Sequence, residues 1–243
     1  MTLPLLEPLW SAPPRVRAAF SLRSGGVSTA PWDSLNLGVH VGDDPAAVAE
    51  NRRRLANALQ LPGEPIWLDQ VHGTAVWSGG PSNDRPRADA AVTRQSGVVL
   101  AVQVADCLPV LFASDAGDEI GAAHAGWRGL AAGVLEATVA ALATPPARLV
   151  AWLGPCIGPA HFEVGDEVLE AFITVLPDAD RCFRPNARGR WQCDLPALAR
   201  LRLAALGIQR VAGGQWCTAA DPVRFFSHRR DQRTGRMAAL IWC

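Results

Sequence analysis

The stretch Val98-Val-Leu-Ala-Val-Gln-Val104-Ala-Asp106-Cys107-Leu-Pro-Val110-Leu-Phe-Ala113-Ser-Asp-Ala-Gly-Asp-Glu-Ile120-Gly-Ala-Ala-His124 holds three short apolar runs with nothing longer than a turn between them. Runs of this length, rich in Val, Leu, Ile and Ala, read as strands buried on both faces. Three of them in succession leave no room for a crossover helix. A purely parallel, doubly wound sheet needs strict strand–helix alternation. The pattern therefore predicts mixed sheets, with helices packed outside, in an α/β or α+β domain.

The rest of the chain fits that reading. Further strand-like runs are Val16 to Ser21, Ile66 to Val71, Leu149 to Leu153, Ile208 to Ala212 and Met237 to Trp242. Asp44-Pro45 is a helix start, a capping acid followed by Pro at the first helical position. Val48, Leu55 and Leu59 continue it at helical spacing. Helices are also predicted over Leu130 to Leu142, Val164 to Val175 and Leu195 to Leu206, the last closed by Gly207. The Gly-, Pro- and Ser-rich segment from Ser78 to Arg87 reads as a surface loop, as do the joints at Pro145-Pro146 and Pro185 to Gly189.

Composition narrows the function classes. The 23 basic residues balance 23 acidic ones, so no positive excess points to nucleic acid or a membrane surface. The basic run Arg52-Arg53-Arg54 reads as a solvated helix face. All the basic residues are Arg; with no Lys and no Tyr, a catalytic Lys or Tyr is excluded. The N-terminus lacks a secretory pattern and no apolar run is long enough to span a bilayer, so a cytoplasmic enzyme is expected. Six Cys in 243 residues are expected to be reduced rather than a disulfide framework.

The chemical signals are few. A P-loop, a Rossmann glycine fingerprint, His-Glu-x-x-His and the cytidine-deaminase signature are all missing. Three segments place a metal-ligating side chain at an apolar strand end beside Gly or Pro: Gln70-Val-His72-Gly73, Ala105-Asp-Cys107-Leu-Pro109 and Ala123-His124-Ala-Gly126. If they converge, two imidazoles and a thiolate form a set suited to zinc, with the fourth tetrahedral position open for catalysis. Cys156 or His161 could close that position and make the site structural. Copper fits poorly, because the chain has five His without a His-x-His pair and only Met1 and Met237 as axial candidates. Anion-binding candidates are Arg23 with the turn Gly25-Gly26, and Arg128 at the start of the next helix. Ser227-His228-Arg229 adds hydroxyl and guanidinium groups near the C-terminus.

Read in order, these motifs resemble one family. They are Arg23-Ser-Gly25-Gly26-Val-Ser28, Ser34-Leu-Asn36-Leu-Gly38, Gly42-Asp-Asp44, Gln70-Val-His72-Gly73, Ala105-Asp-Cys107-Leu-Pro109, His124-Ala-Gly-Trp-Arg128-Gly129, Leu153-Gly-Pro-Cys156-Ile-Gly-Pro159 and Arg233-Thr-Gly-Arg236-Met237. Together they are similar to the YfiH-like family, also called the laccase-domain or polyphenol oxidase family. The resemblance runs from about Val16 to the C-terminus. It implies a single α+β domain over residues 1–243, layered α/β/β/α around mixed sheets. It also implies a zinc site at His72, Cys107 and His124, which would be the catalytic residues.

The implied activity is phosphorolysis of adenosine, inosine and methylthioadenosine, with adenosine deamination besides. Phenol oxidation and editing of a peptidoglycan precursor are the alternatives attached to the family. Expected substrate contacts are Arg23, Gly25, Gly26, Asn36, Arg128, Ser227 and Arg229, with Arg23 and Arg128 on phosphate. Deamination also needs a proton shuttle, for which Asp106 and Glu163 are candidates, although strand alternation would turn Asp106 from the Cys107 face. His228 departs from the family pattern, where Ser-Tyr-Arg is frequent. Expected partners are a small nucleoside and phosphate, with no nucleic acid or membrane, in a monomer or weak homo-oligomer.

Overall fold

The structure is a computed structural model and describes residues 3–81 and 84–243. Two mixed sheets carry the fold. The first has five strands, β1 (Leu5–Leu6), β2 (Arg17–Ser21), β3 (Ile66–Trp67), β6 (Leu100–Val104) and β14 (Met237–Trp242), in the order β1-β2-β14-β6-β3. The second has six, β4 (Val76–Ser78), β5 (Ala90–Thr93), β7 (Leu108–Ser114), β8 (Ile120–Ala125), β9 (Leu149–Leu153) and β13 (Arg210–Gly213), in the order β13-β9-β7-β8-β5-β4. Most pairs are antiparallel; β3 with β6, β4 with β5 and β9 with β13 are parallel. A small antiparallel sheet, β10 (Glu163–Val164), β11 (Phe183–Pro185) and β12 (Trp191–Cys193), stands apart.

Side-chain alternation explains the layering. Leu100, Val102 and Val104 of β6 and Met237, Ala239 and Ile241 of β14 face inward. They meet Leu111 and Ala113 of β7, Ala122 of β8 and Trp152 of β9 in one apolar layer with Phe20 and Phe225. The intervening residues Val99, Ala101, Ala238 and Leu240 face α1 (Pro45–Leu59), whose Leu55 closes the outer layer with Leu35 and Leu37. On the other side, Val110, Phe112, Ala123 and Ala151 pack against α2 (Trp127–Ala132), α3 (Val134–Ala141), α4 (Asp166–Ile173) and α5 (Leu195–Ala205). The order is helix, sheet, sheet, helix, as the resemblance implied. Among the described residues no helix is long and apolar enough to cross a membrane.

The three runs of Val98 to His124 are β6, β7 and β8, but they do not share a sheet. The turn Ala105–Cys107 carries the chain from the five-stranded sheet to the six-stranded one, and β7 and β8 then form a hairpin. Asp106 turns that corner at φ +94°, so it follows no strand alternation. The Asp44 side chain caps α1 by accepting from Ala46 N at 2.9 Å. Within that helix Arg53 and Arg54 pair with Glu50, whereas Arg52 turns inward to Leu37 O and over the Trp67 ring. The helix predicted from Leu130 to Leu142 is two helices, because Gly133 adopts φ +98° and breaks the ladder.

Candidate metal centre

His72, Cys107 and His124 converge, with their ligand atoms within 4.8 Å of one another. Cys107 Sγ lies 3.7 Å from His72 Nε2, and the two imidazole rings stand edge to face with centroids 4.8 Å apart. Bond lengths around zinc place ligand atoms about 3.3–3.7 Å apart in a tetrahedron, so a small contraction would seat a metal ion. Among the described residues no fourth side chain of this kind joins the group. Cys156 is buried and points its thiol to Ile157 O, and His161 sits against Cys217 instead. The exposed His72 and half-buried Cys107 leave the remaining side of the site open.

Each ligand is positioned by a different element. His124 lies in β8 on the face turned toward the gap between the sheets, one residue before the strand ends. Cys107 immediately precedes β7, at the corner where the chain changes sheet. His72 follows the short β3 on a loop, at φ +61°. That loop is held by Asp89, fully buried just before β5. Its Oδ1 accepts from His72 N at 2.9 Å, and its Oδ2 from Gly73 N at 2.7 Å and Val71 N at 3.1 Å. The same Oδ1 accepts from His124 Nδ1 at 2.8 Å. With Nδ1 donating, the other imidazole nitrogen, Nε2, is left as the metal ligand. Asp89 therefore organises two of the three ligands, and sequence reading missed it.

The charges of the group suit a bound cation. Burial would raise the Asp89 carboxyl, but hydrogen bonds from His124 and from backbone N–H groups hold it below the usual range. Burial also pushes the Cys107 thiol up, yet the two histidines outweigh this and draw it down to about 6. Conversely burial lowers His124, while the Cys107 charge and Asp89 raise it to about 9. These opposed shifts favour a thiolate–imidazolium pair in metal-free protein between about pH 6 and about pH 9. In metal-free protein, alkylation of Cys107 is expected to rise through about pH 6, well below the ordinary thiol value of about 8.5. Metal must displace the His124 proton, so affinity should climb with pH toward about 9 and fall below about 6 as the thiol reprotonates. Iodoacetamide rates and competitive metal titrations across pH check both signs.

Backbone packing keeps the ligands close. A Cβ on Gly126 would stand 2.9 Å from Cys107 Sγ and 3.0 Å from His72 Cδ2. Gly126→Ala should therefore push both ligands outward and weaken metal binding by about tenfold or more, with little change in fold. Chelator competition on the purified variant measures it.

The centre opens into a cleft of about 340 Å³ lined by His40, Gln70, Gln103, Arg128, His228 and Arg236 besides the three ligands. Arg128 stacks on Trp127 at 4.5 Å and makes no hydrogen bond or ion pair among the described residues. His228 Nδ1 is 2.6 Å from Gln232 O, which leaves its Nε2 as an acceptor. Burial and the Arg236 charge lower His40 to about 4, so it is neutral at pH 7. His40, Gln70, Gln103 and Arg236 were not among the expected contacts; Gln70 and Arg236 lie inside the quoted motifs, and no spacing signal marks His40.

Other expected contacts lie elsewhere. Arg23 donates to Asp33 O and Pro222 O, pairs with Asp33 at 3.3 Å and stacks on Phe226, beside a different surface pocket. The N–H groups after Gly25 are taken: Gly26 N donates to Ser34 Oγ and Val27 N to Asn51 Oδ1. Asn36 is buried and ties Gly38, Asp43 and Arg236 N together. Ser227 caps the short helix α6 (His228–Asp231), which presents His228. Arg229 reaches Glu163 O and His161 O. Asp106 accepts from Thr218 Oγ1 and Arg229 N at 2.6 Å each, and Glu163 pairs with Asn186 and Arg188.

Comparison with known proteins supplies the family. The chain matches the family model for multi-copper polyphenol oxidoreductase laccase over residues 17–243. A Pseudomonas aeruginosa purine nucleoside phosphorylase is 55% identical, with 98% of this chain and 97% of that protein covered. The Escherichia coli purine nucleoside phosphorylase YfiH is 52% identical, with 98% of each covered. A crystal structure of a Neisseria meningitidis protein superposes with a TM-score of 0.92 at 47% identity, covering 98% of each chain. YlmD from Geobacillus stearothermophilus superposes at 0.87 with 35% identity, over 94% of this chain and 92% of that one. A full-length match on this scale, with the convergent His-Cys-His group at its centre, means that the chain belongs to the laccase-domain, or YfiH-like, family.

Proposed function

We propose that this protein is a zinc-dependent purine nucleoside phosphorylase. The observation that carries the reading is the open His72–Cys107–His124 group facing a cleft with two arginines, Arg128 and Arg236. Close relatives carrying the phosphorylase name support it. Two imidazoles and one thiolate suit zinc. An axial Met for copper is not at hand among the described residues, because Met237 is buried between the sheets.

The residues divide the work as follows. His72, Cys107 and His124 would hold zinc, which supplies a Lewis acid to orient substrate and to stabilise charge on a departing base. Arg128, whose guanidinium stacks on Trp127 and makes no hydrogen bond or ion pair among the described residues, receives phosphate, and Arg236 adds a second positive charge in the same cleft. The His228 Nε2 acceptor can take an N–H from a purine. Placing phosphate and the anomeric carbon together is worth as much as about 7–11 kcal/mol. Deamination is the poorer fit. No Asp or Glu lines the cleft among the described residues, and Asp106 and Glu163 are engaged elsewhere.

Chromatography of adenosine incubated with the protein, with and without phosphate, tests the proposal. Adenine released only with phosphate is the expected result; inosine as the main product would move the assignment to deamination. Arg128→Ala should raise the KM for phosphate about tenfold or more, with a smaller effect on nucleoside KM. An unchanged phosphate dependence would remove Arg128 from that role.

A further inference from the structure

We propose that Cys217 and Cys156 form a peroxide-sensitive thiol pair, with Cys217 the sulfur that is oxidised first and Cys156 the one that resolves it into a disulfide. The geometry is that of neighbouring strands. Cys156 and Cys217 are direct partners in an isolated parallel bridge, closed by Cys156 N to Trp216 O at 3.4 Å and Thr218 N to Cys156 O at 2.9 Å. Adjacent strands lie about 4.8 Å apart, inside the range of about 4.4–6.8 Å that a disulfide tolerates between Cα atoms. Both side chains pack on the same apolar cluster, so they share a face.

The two thiols are not equivalent. Cys217 is half-buried; its Sγ receives Gly158 N–H at 3.1 Å and has His161 Nδ1 at 3.6 Å, on an exposed imidazole. Arg230, paired with Asp231, donates to Thr218 O at 2.9 Å and fixes the same segment. Cys217 is thus the solvent-reachable sulfur of the pair, with a backbone donor and an imidazole beside it. Cys156 is fully buried, and burial pushes its thiol well up. It is shielded from direct attack yet lies beside Cys217.

The chemistry balances with hydrogen peroxide as oxidant. The Cys217 thiolate attacks one peroxide oxygen, the O–O bond breaks and hydroxide leaves, giving a sulfenic acid. The Cys156 sulfur then displaces that oxygen; the S–S bond forms, and the hydroxyl leaves as water with the Cys156 proton. Two thiols lose two electrons and two protons, and peroxide becomes two waters. The crosslink bears on the metal corner. Ile157 N donates to Asp106 O at 2.9 Å, and Thr218 Oγ1 donates to the Asp106 carboxylate. The two segments that would be joined are thus two of the three, with Arg229 N, that hold the residue preceding Cys107.

Peptide mapping of the purified protein after graded hydrogen peroxide, with free thiols blocked before digestion, tests this. A Cys156–Cys217 linked peptide should accumulate and disappear with dithiothreitol. In Cys156→Ser, dimedone should label Cys217, and His161→Ala should slow the wild-type linkage several-fold. The proposal is overturned if Cys217 stays free under conditions that oxidise Cys243. It is equally overturned if, in the wild-type protein, Cys217 links to Cys107 or remains a dimedone-reactive sulfenic acid. Wild-type mapping decides the matter even if the Cys156 variant does not fold.

Discussion

Cys107→Ala is expected to bring bound metal to background and to cut phosphorolysis by at least about a hundredfold, while the chain stays folded. Cys107 is the sulfur donor in a group that offers three ligands. Without it two imidazoles remain, on a β-strand and a loop, with no fourth side chain of this kind in reach among the described residues. A bound metal's stabilisation of developing charge is worth several kcal/mol, which sets the size of the loss. The fold should survive because the corner at Cys107 is fastened by Asp106 through Thr218, Arg229 N and Ile157 N. Metal analysis, the adenosine assay and a thermal melt on one preparation separate the outcomes. Full activity in the variant would remove the thiolate from the mechanism. Global unfolding would make the metal structural.

Asp89→Ala is expected to cost both metal and stability. It would strand the Nδ1–H of buried His124 and the N–H groups of Val71, His72 and Gly73 on the part-exposed loop beside it. Each such unpaired group costs about 1–3 kcal/mol unless water enters. The full cost falls on the buried His124 Nδ1–H, a sizeable share of the whole stability of a domain, about 5–15 kcal/mol. Asp89→Asn is the gentler probe. Its carbonyl can still accept, but its amide N–H groups oppose the backbone donors and release His124 from the Nδ1–H tautomer. Metal affinity should fall about 10–100-fold, read by chelator competition, with a smaller drop in urea midpoint than for Asp89→Ala. Wild-type metal affinity in both variants would show that Asp89 does not orient the ligands.

The sequence made the central strands legible because β6, β7, β8, β9 and β14 are predominantly apolar runs, buried on both faces. It did not show β5, whose Ala90-Ala-Val-Thr carries weak strand preference, nor β1, β4, β10, β11 and β12, each only two or three residues long. The Leu130–Leu142 pattern hid a helix break because periodicity continues through Gly133. The ligands were legible as His and Cys beside Gly or Pro, but only the resemblance brought them to one site. Asp89 left no trace, since an Asp before an Ala-rich run looks like a turn residue. Arg23 and Asn36 stood out for the opposite reason. Polar side chains in Gly-rich loops resemble ligand contacts, and here they hold the loops to each other.

The most direct test is to strip the protein of metal with a chelator and restore zinc stepwise, following adenine release from adenosine with phosphate present. Zinc dependence requires that activity vanish on stripping, rise linearly with added zinc and level off at about one ion per chain. Undiminished phosphorolysis in protein shown to be metal-free would contradict it.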